Sequence, residues 1–354
     1  MRIRKEHPED YNAILRLTYE AFLTLDYPGR KRMDEHYLIS LLRGSNFVIP
    51  ELCFVMEMEG EILGHILYTK SEIIKDDGTK IQTITFGPLS VLPKYHKQGI
   101  GAALVRHSLE KAKDLGYGAV LITGVPDYYP KLGFKRAKEY SLILPDSSSP
   151  DEFMAYELQP GYLHNGGVFG GLAPEYNRAE NDETGFAAFH KWFMSEYYPH
   201  ALILRPFYDN DIVLFERWLE TDHVKPWYDH PQDWLHELKN RHGKFSFITH
   251  LIAEMEGVPI GFCQYYDMFC GQDHEDWLNI PAPGVIFSID YLIGEPAYLH
   301  KGLGQKMIAL MLGMLRDKGA QTVVVRPDAD NVKSNRALEA NSFVWNGTDY
   351  ILKL

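Results

Sequence analysis

Cysteine is scarce in this 354-residue chain, with Cys53, Cys263 and Cys270 as the whole supply. Three scattered thiols neither staple a small fold nor build a Cys-rich zinc site, and they suit a reducing compartment. No run approaches about 18 consecutive apolar residues, so no segment reads as a membrane-crossing helix. The opening Met1-Arg-Ile-Arg-Lys-Glu-His-Pro-Glu-Asp10 lacks the apolar core of a secretory signal, and a cytoplasmic location is the expectation. Positive charge is also short. Lys plus Arg number 36 against 48 Asp plus Glu, for a net charge of −12. That balance argues against a broad basic surface for nucleic acid or anionic lipid and favours a cationic ligand. What the chain does have is apolar content, 45% of its residues, and a length that suggests two domains of roughly 150 residues each.

The chain repeats itself. Glu-Met-Glu-Gly occurs at 57–60 and again at 254–257, and each copy runs into a similar strand, Glu61–Tyr68 and Val258–Tyr265. Gly64 and Gly261 are offset by 197, Gly99 and Gly302 by 203, and Phe134 and Phe343 by 209. Three landmarks in one order mean the same element order twice, with small insertions. Each copy reads as a hairpin region, a strand, a glycine loop, an amphipathic helix and another strand. In the first, Leu104, Val105, Leu109, Ala112 and Leu115 form the apolar stripe of a helix stopped by Gly116, before a strand at 119–123. In the second, a helix from about 305 to 318 stops at Gly319 and precedes a strand at 322–326. Between the copies, residues 161–171 are almost half glycine and are expected to be irregular. Phe186, Phe189, Phe193 and Tyr197 then recur at helical spacing, as a packing stripe. The expected division is a domain over 1–178, a linker helix over 179–200 and a second domain over 201–354.

A strand that runs through Gly-x-Gly into a helix aims several backbone N–H groups and the positive end of the helix dipole at one point, a place for phosphate. Gly99-Ile-Gly101-Ala-Ala103 also matches the dinucleotide fingerprint. The loops lie too late in each copy for that reading, and the following strands end without the acidic residue that would hold a ribose.

His96-Lys-Gln-Gly99-Ile-Gly101, after Phe86-Gly-Pro-Leu-Ser-Val-Leu-Pro93 and before Tyr129-Pro-Lys-Leu-Gly133-Phe134, resembles the acetyl-CoA signature of the GNAT superfamily. The second copy is similar to the aminoglycoside 6'-N-acetyltransferases of that superfamily and to their siderophore-acylating relatives. The matching stretches are Asp222-His-Val-Lys-Pro-Trp-Tyr228, Ile260–Tyr266, Ser288-Ile-Asp290, Lys301-Gly-Leu-Gly304 and Asn331–Phe343. The resemblance implies an α/β fold of two tandem GNAT-like domains, each a mixed twisted sheet flanked by helices. It implies acetyl-CoA as acetyl donor, with pantetheine paired to the strand at Leu89 and Val91 in copy one and at Tyr291 and Ile293 in copy two. The diphosphate would lie on Gln98, Gly99, Ile100, Gly101, Ala102 and Ala103, and on Lys301, Gly302, Leu303, Gly304, Gln305 and Lys306, with Asn331 also on the donor side.

Acetyl transfer from a thioester to an amine also requires the ammonium to lose a proton and the leaving thiolate to gain one. By the same resemblance Tyr129 is the general acid of copy one and Asp290 the base of copy two. Leu338 stands at the position of Tyr129 and cannot donate. Ser342 replaces the usual glycine, and Arg326 stands where the aminoglycoside enzymes carry an acid. Trp227, Tyr228, Asp273, Asp276 and Trp277 offer aromatic faces and carboxylates to a cationic, sugar-like substrate. The half from 201 to 354 holds 21 Asp plus Glu against 14 Lys plus Arg. The expected activity is N-acetylation of a small cationic amine, an aminoglycoside among the candidates, with no metal and no nucleic-acid or membrane partner. A second copy of the chain is a candidate partner. The alternatives are a CoA-binding or dimer-forming module with one silent domain, and an N-acyltransferase of siderophore precursors.

Overall fold

The computed structural model describes residues 1–272 and 280–354. It divides into two compact units, one of residues 1–23 and 33–186 and the other of 24–32 and 187–354. The division falls inside a helix at 183–197, and a nine-residue stretch of the first copy belongs to the second unit.

The first unit runs β1 (Arg2–Lys5), α1 (Tyr11–Phe22), α2 (Glu35–Leu42), β2 (Phe54–Met58), β3 (Glu61–Ile74), β4 (Lys80–Val91), α3 (Ile100–Asp114), β5 (Ala119–Thr123), β6 (Lys135–Arg136), β7 (Leu142–Ile143), β8 (Phe153–Glu157), β9 (Gly167–Phe169) and α4 (Pro174–Asn181). Its sheet is ordered β1-β2-β3-β4-β5-β8-β6, with β9 joining β3 to β7. The glycine-rich stretch is therefore not wholly irregular. At Gly166 a side chain would lie 2.2 Å from the Ser141 carbonyl, so glycine is what lets β9 approach and pair.

After α5 (Glu183–Tyr197) the second unit runs β10 (Leu202–Pro206), α6 (Asp211–Leu219), α7 (Pro231–Lys239), β11 (Ile248–Met255), β12 (Val258–Asp267), α8 (Met268–Gly271), β13 (Ile286–Ile293), α9 (Leu303–Asp317), β14 (Thr322–Val325), α10 (Val332–Glu339), β15 (Val344–Trp345) and β16 (Tyr350–Lys353). The order β10-β11-β12-β13-β14-β16-β15 reproduces that of the first sheet strand for strand. Both sheets are mixed: β4 with β5, and β13 with β14, are parallel neighbours, as are β7 and β9 in the first sheet, and the other ladders are antiparallel. Among the described residues no helix is long and apolar enough to cross a membrane.

The repeated tetrapeptide is a hairpin turn. Glu59 and Gly60 have φ of 51° and 84°, and Glu256 and Gly257 have 50° and 76°, the left-handed pair that a two-residue turn between twisted strands requires. A second repeat was not visible as a motif. Arg4 donates through Nε to Glu57 and through both terminal nitrogens to Asp10, while Arg205 does the same to Glu254 and Asp211. In the second unit this network is buried and His190 closes it, 2.7 Å from Glu254.

The helix after each glycine loop lies on its sheet through the expected stripe. Leu104, Val105, Leu109 and Ala112 of α3 are buried, the two leucines and the valine each contributing about 1.5–3 kcal/mol. Leu115 is not part of the stripe: it caps the helix and is half exposed, because Gly116 at φ 85° turns the chain there. In α9, Met307, Ile308, Met311, Leu312 and Leu315 do the same work.

Candidate active site

In each sheet the central parallel pair stays together only at its start. β4 meets β5 at Ile84 and Val120, and β13 meets β14 at Ile286–Thr322 and Phe287–Val323. Beyond those residues the strands separate, so the edges carrying Leu89 and Val91, and Tyr291 and Ile293, have no strand partner there among the described residues. A chain-like ligand with amide groups can pair with such an edge.

The glycine loop sits at the open end of each split. Lys97 and Gly99 have φ of 61° and 83°, and His300 and Gly302 have 61° and 72°. Gly99 caps α3 and Gly302 caps α9, neither with a side-chain bond, so the first N–H groups of two 15-residue helices face outward unfilled. Ile100 and Leu303 turn into the core and anchor the loops, which leaves the backbones of Gln98 to Ala103 and of Lys301 to Lys306 to face a ligand. A side-chain carbon on Gly304 would meet nothing closer than Tyr291 at 3.8 Å; on Gly101 it would meet the Tyr128 hydroxyl at 3.0 Å and Leu89 and Val91 at 3.7 Å. Both cradles fit a diphosphate held by backbone, the first being the tighter of the two. The carbonyls of Val91 and Ile293 each accept from a histidine, His96 at 2.8 Å and His223 at 2.9 Å.

Tyr129 opens a short 3-10 turn and packs among Phe86, Tyr128 and Phe134, its ring lying over Gly124. Burial raises its phenol well above the usual value of 10, with the neighbouring Tyr128 adding to the effect, so it stays protonated and able to donate at neutral pH. The matching Leu338 is wholly buried in the apolar core. A different phenol faces the split of the second unit: Tyr291 lies under Gly304 and its hydroxyl bonds Ser334 at 2.8 Å, on the first turn of α10 that Asn331 caps. Burial pushes it up to about 12.

Asp290 lies on β13, where Gln264 donates to it at 3.0 Å. Tyr228 is buried beside it, its ring tilted 55° against that of Trp234 with centroids 4.8 Å apart. Trp227 is exposed and lines a cleft of about 310 Å³ with Pro226, Asp229, Asp328, Ala329 and Asp330. Asp229 and Asp330 were missed in the sequence, where each is one acid in a turn and nothing marks the loops after α6 and β14 as neighbours. The guanidinium of Arg326 is bound to Asp349 at 2.7 Å. Asp273, Asp276 and Trp277 lie outside the described residues. Among the described residues no cluster of His, Cys, Asp and Glu could hold a metal ion.

Comparison with known proteins agrees with this geometry. A model described as acetyltransferase (GNAT) family matches residues 14–134, and one described as acetyltransferase (GNAT) domain matches 208–348. The uncharacterised N-acetyltransferase YjhQ of Escherichia coli is 31% identical over 98 residues, 28% of this chain and about half, 54%, of that protein. The uncharacterised N-acetyltransferase YhbS of the same species is 28% identical over 167 residues, 46% of this chain and 91% of that one. Its crystal structure in complex with CoA covers 50% of this chain and 92% of its own, with a TM-score of 0.41 at 26% identity. Aminoglycoside N(6')-acetyltransferase type 1 of Klebsiella pneumoniae is 26% identical over 155 residues, 42% of this chain and 76% of that one. With both halves matched by family models and both carrying the split sheet and glycine loop, the chain belongs to the GNAT N-acetyltransferases, whose co-substrate is acetyl-CoA, and carries their domain twice.

Proposed function

We propose that this chain is a cytoplasmic enzyme that transfers the acetyl group of acetyl-CoA to a primary amine of a small cationic substrate, with one donor site in each copy, 1–178 and 201–354. The observation that carries the substrate class is the cleft of Trp227, Asp229, Asp328 and Asp330, three carboxylates beside an exposed indole. Carboxylates attract a protonated amine and an aromatic face holds a cation or a sugar ring, a combination suited to aminosugars and polyamines. In copy two, Asp290 takes the proton of the amine, and Tyr291, with its protonated phenol at the split, stands in for the missing tyrosine at 338. In copy one, Tyr129 protonates the leaving thiolate. Acetyl-CoA supplies the activated acyl group; the chain supplies the backbone cradle, the charge that gathers the amine and the groups that move two protons.

A second reading, in which copy two binds CoA without turning it over, is favoured by one observation, the burial of Leu338 in the apolar core. Thiol release by the full chain with acetyl-CoA and a panel of amines decides between them, using Gly101→Val and Gly304→Val to block one donor site at a time. Release by the Gly101→Val chain with aminosugars or polyamines supports an active copy two. Preference for acidic or neutral acceptors overturns the cationic reading.

A further inference from the structure

Copy one lacks a carboxylate where copy two has Asp290. Val91 faces Gly64 and Ile293 faces Gly261, so counting three residues back along each strand places Pro88 opposite the position of Asp290. The strands also differ there. The β12–β13 ladder runs in continuous register, whereas β3–β4 is bulged, passing from Ile66–Leu89 to Tyr68–Phe86 so that Gly87 and Pro88 together oppose Leu67. A bulge releases backbone groups from the ladder. The carbonyl of Gly87 is one of them, and it accepts a hydrogen bond of 2.9 Å from the hydroxyl of Tyr176 on α4.

Helix α4 packs on α2 and has no counterpart among the described elements of the second unit. It approaches β4 from the face opposite Tyr129. Tyr68 bonds Ser108 of α3 at 2.8 Å and touches Phe86, which touches Tyr129, so this set marks the α3 face. Ser90 bonds Thr18 of α1 at 3.0 Å, and Thr69 lies beside the Tyr176 hydroxyl, so Gly87, Ser90 and Thr69 mark the other. Next to Tyr176, Oε2 of Glu175 is buried without a hydrogen-bond donor, and its charge acts on the Tyr176 phenol. A buried carboxylate oxygen left unpaired is costly. An ammonium group arriving at the bulge would satisfy it.

We propose that α4 is the acceptor wall of copy one, with Glu175 as the base for the incoming amine and Tyr176, fixed on the Gly87 carbonyl, as the residue that positions that amine against β4. The inference rests on reading copy one as an acetyltransferase. The ammonium gives one proton to Glu175, the free amine forms the N–C bond to the acetyl carbon as the C–S bond breaks, and the second amine proton balances the one that Tyr129 supplies to the thiolate. Glu175 then releases its proton to water. The two proton-transfer groups thus serve opposite faces of one strand.

The test uses the full chain carrying Gly304→Val, so that thiol release comes from copy one, with kcat and KM for amine and for acetyl-CoA measured from pH 6 to about 10. Glu175→Gln is expected to lower kcat roughly 10²–10⁴-fold with the acetyl-CoA KM within about twofold. Glu175→Asp, which keeps a carboxylate, should recover part of that kcat, which a merely structural role would not require. Tyr176→Phe should raise the amine KM and leave kcat nearly unchanged. A Glu175→Gln chain with parental kcat overturns the assignment of α4 alone. A Gly304→Val parent that releases no thiol with any amine overturns the reading of copy one, and this inference with it.

Discussion

Gly302 and Gly304 sit two apart in sequence and differ in role. At Gly302 the backbone needs φ 72°, which costs an alanine about 1–2 kcal/mol, whereas Gly304 has ordinary φ and open space beside it. Gly302→Ala should therefore lower the thermal midpoint of the second unit. Gly304→Val should leave that midpoint close to the parent yet weaken CoA binding by that copy at least about tenfold, roughly 1.4 kcal/mol, in a calorimetric titration. Tyr129→Phe keeps the ring contacts with Phe86 and Phe134 and removes only the proton. Its expected signature is a fall in kcat of roughly 10²–10⁴ for copy one with CoA affinity intact. Asp328→Asn and Asp330→Asn should each raise KM for polyamines more at low salt than at high salt, since the attraction they remove is screened. Equal effects on neutral acceptors would count against the cleft. The glycine loop at Gly99 was legible because Gly-x-Gly before a helix is a local pattern, whereas the roles expected of Tyr129 and Asp290 rest on the family resemblance alone. Asp229 and Asp330 were not, because their partnership exists only where two loops meet.

Hairpin, split and ion network are the elements that the duplication preserved. The tetrapeptide was readable as a repeat, and its cause became clear only in the left-handed φ values of Glu59, Gly60, Glu256 and Gly257. The network escaped notice because Arg4, Asp10 and Glu57 are too far apart in sequence to suggest one another. Its energetic weight in the second unit is large. Glu254 is held at about 2, against an ordinary 4.5: burial opposes its charge, and His190 and Arg205 more than compensate. A carboxylate depressed in the folded state contributes stability that is fully present above about pH 4.5 and lost as pH falls towards 2. Acid unfolding followed by near-UV circular dichroism should show this loss, and Glu254→Gln should remove the dependence while costing about 3–5 kcal/mol at neutral pH by leaving Arg205 and His190 without their partner. An unchanged acid midpoint in that variant would show that other carboxylates govern it. The bulge in β4 and the helix that meets it had no sequence signal, since a bulge is defined by the facing strand and not by its own residues.

Two donor cradles on one chain predict a stoichiometry of two CoA molecules per polypeptide, reduced to one by Gly101→Val or Gly304→Val and to none by the pair. A single site in the parent chain would mean that one cradle is closed. The chain's path through its units has a consequence of another kind. Residues 24–32 lie between α1 and α2 of the first copy but belong to the second unit, where Asp26 approaches His242 at 3.7 Å and Arg30 lies over the Tyr208 ring. A ribosome delivers that stretch long before the strands it joins, so during synthesis the first unit can close around its own sheet while this stretch still waits for its partners. Translation thus orders the assembly of the second unit, and a gene cut at the junction would return two halves, one bearing a strap with nothing to bind and the other missing a piece it never encoded.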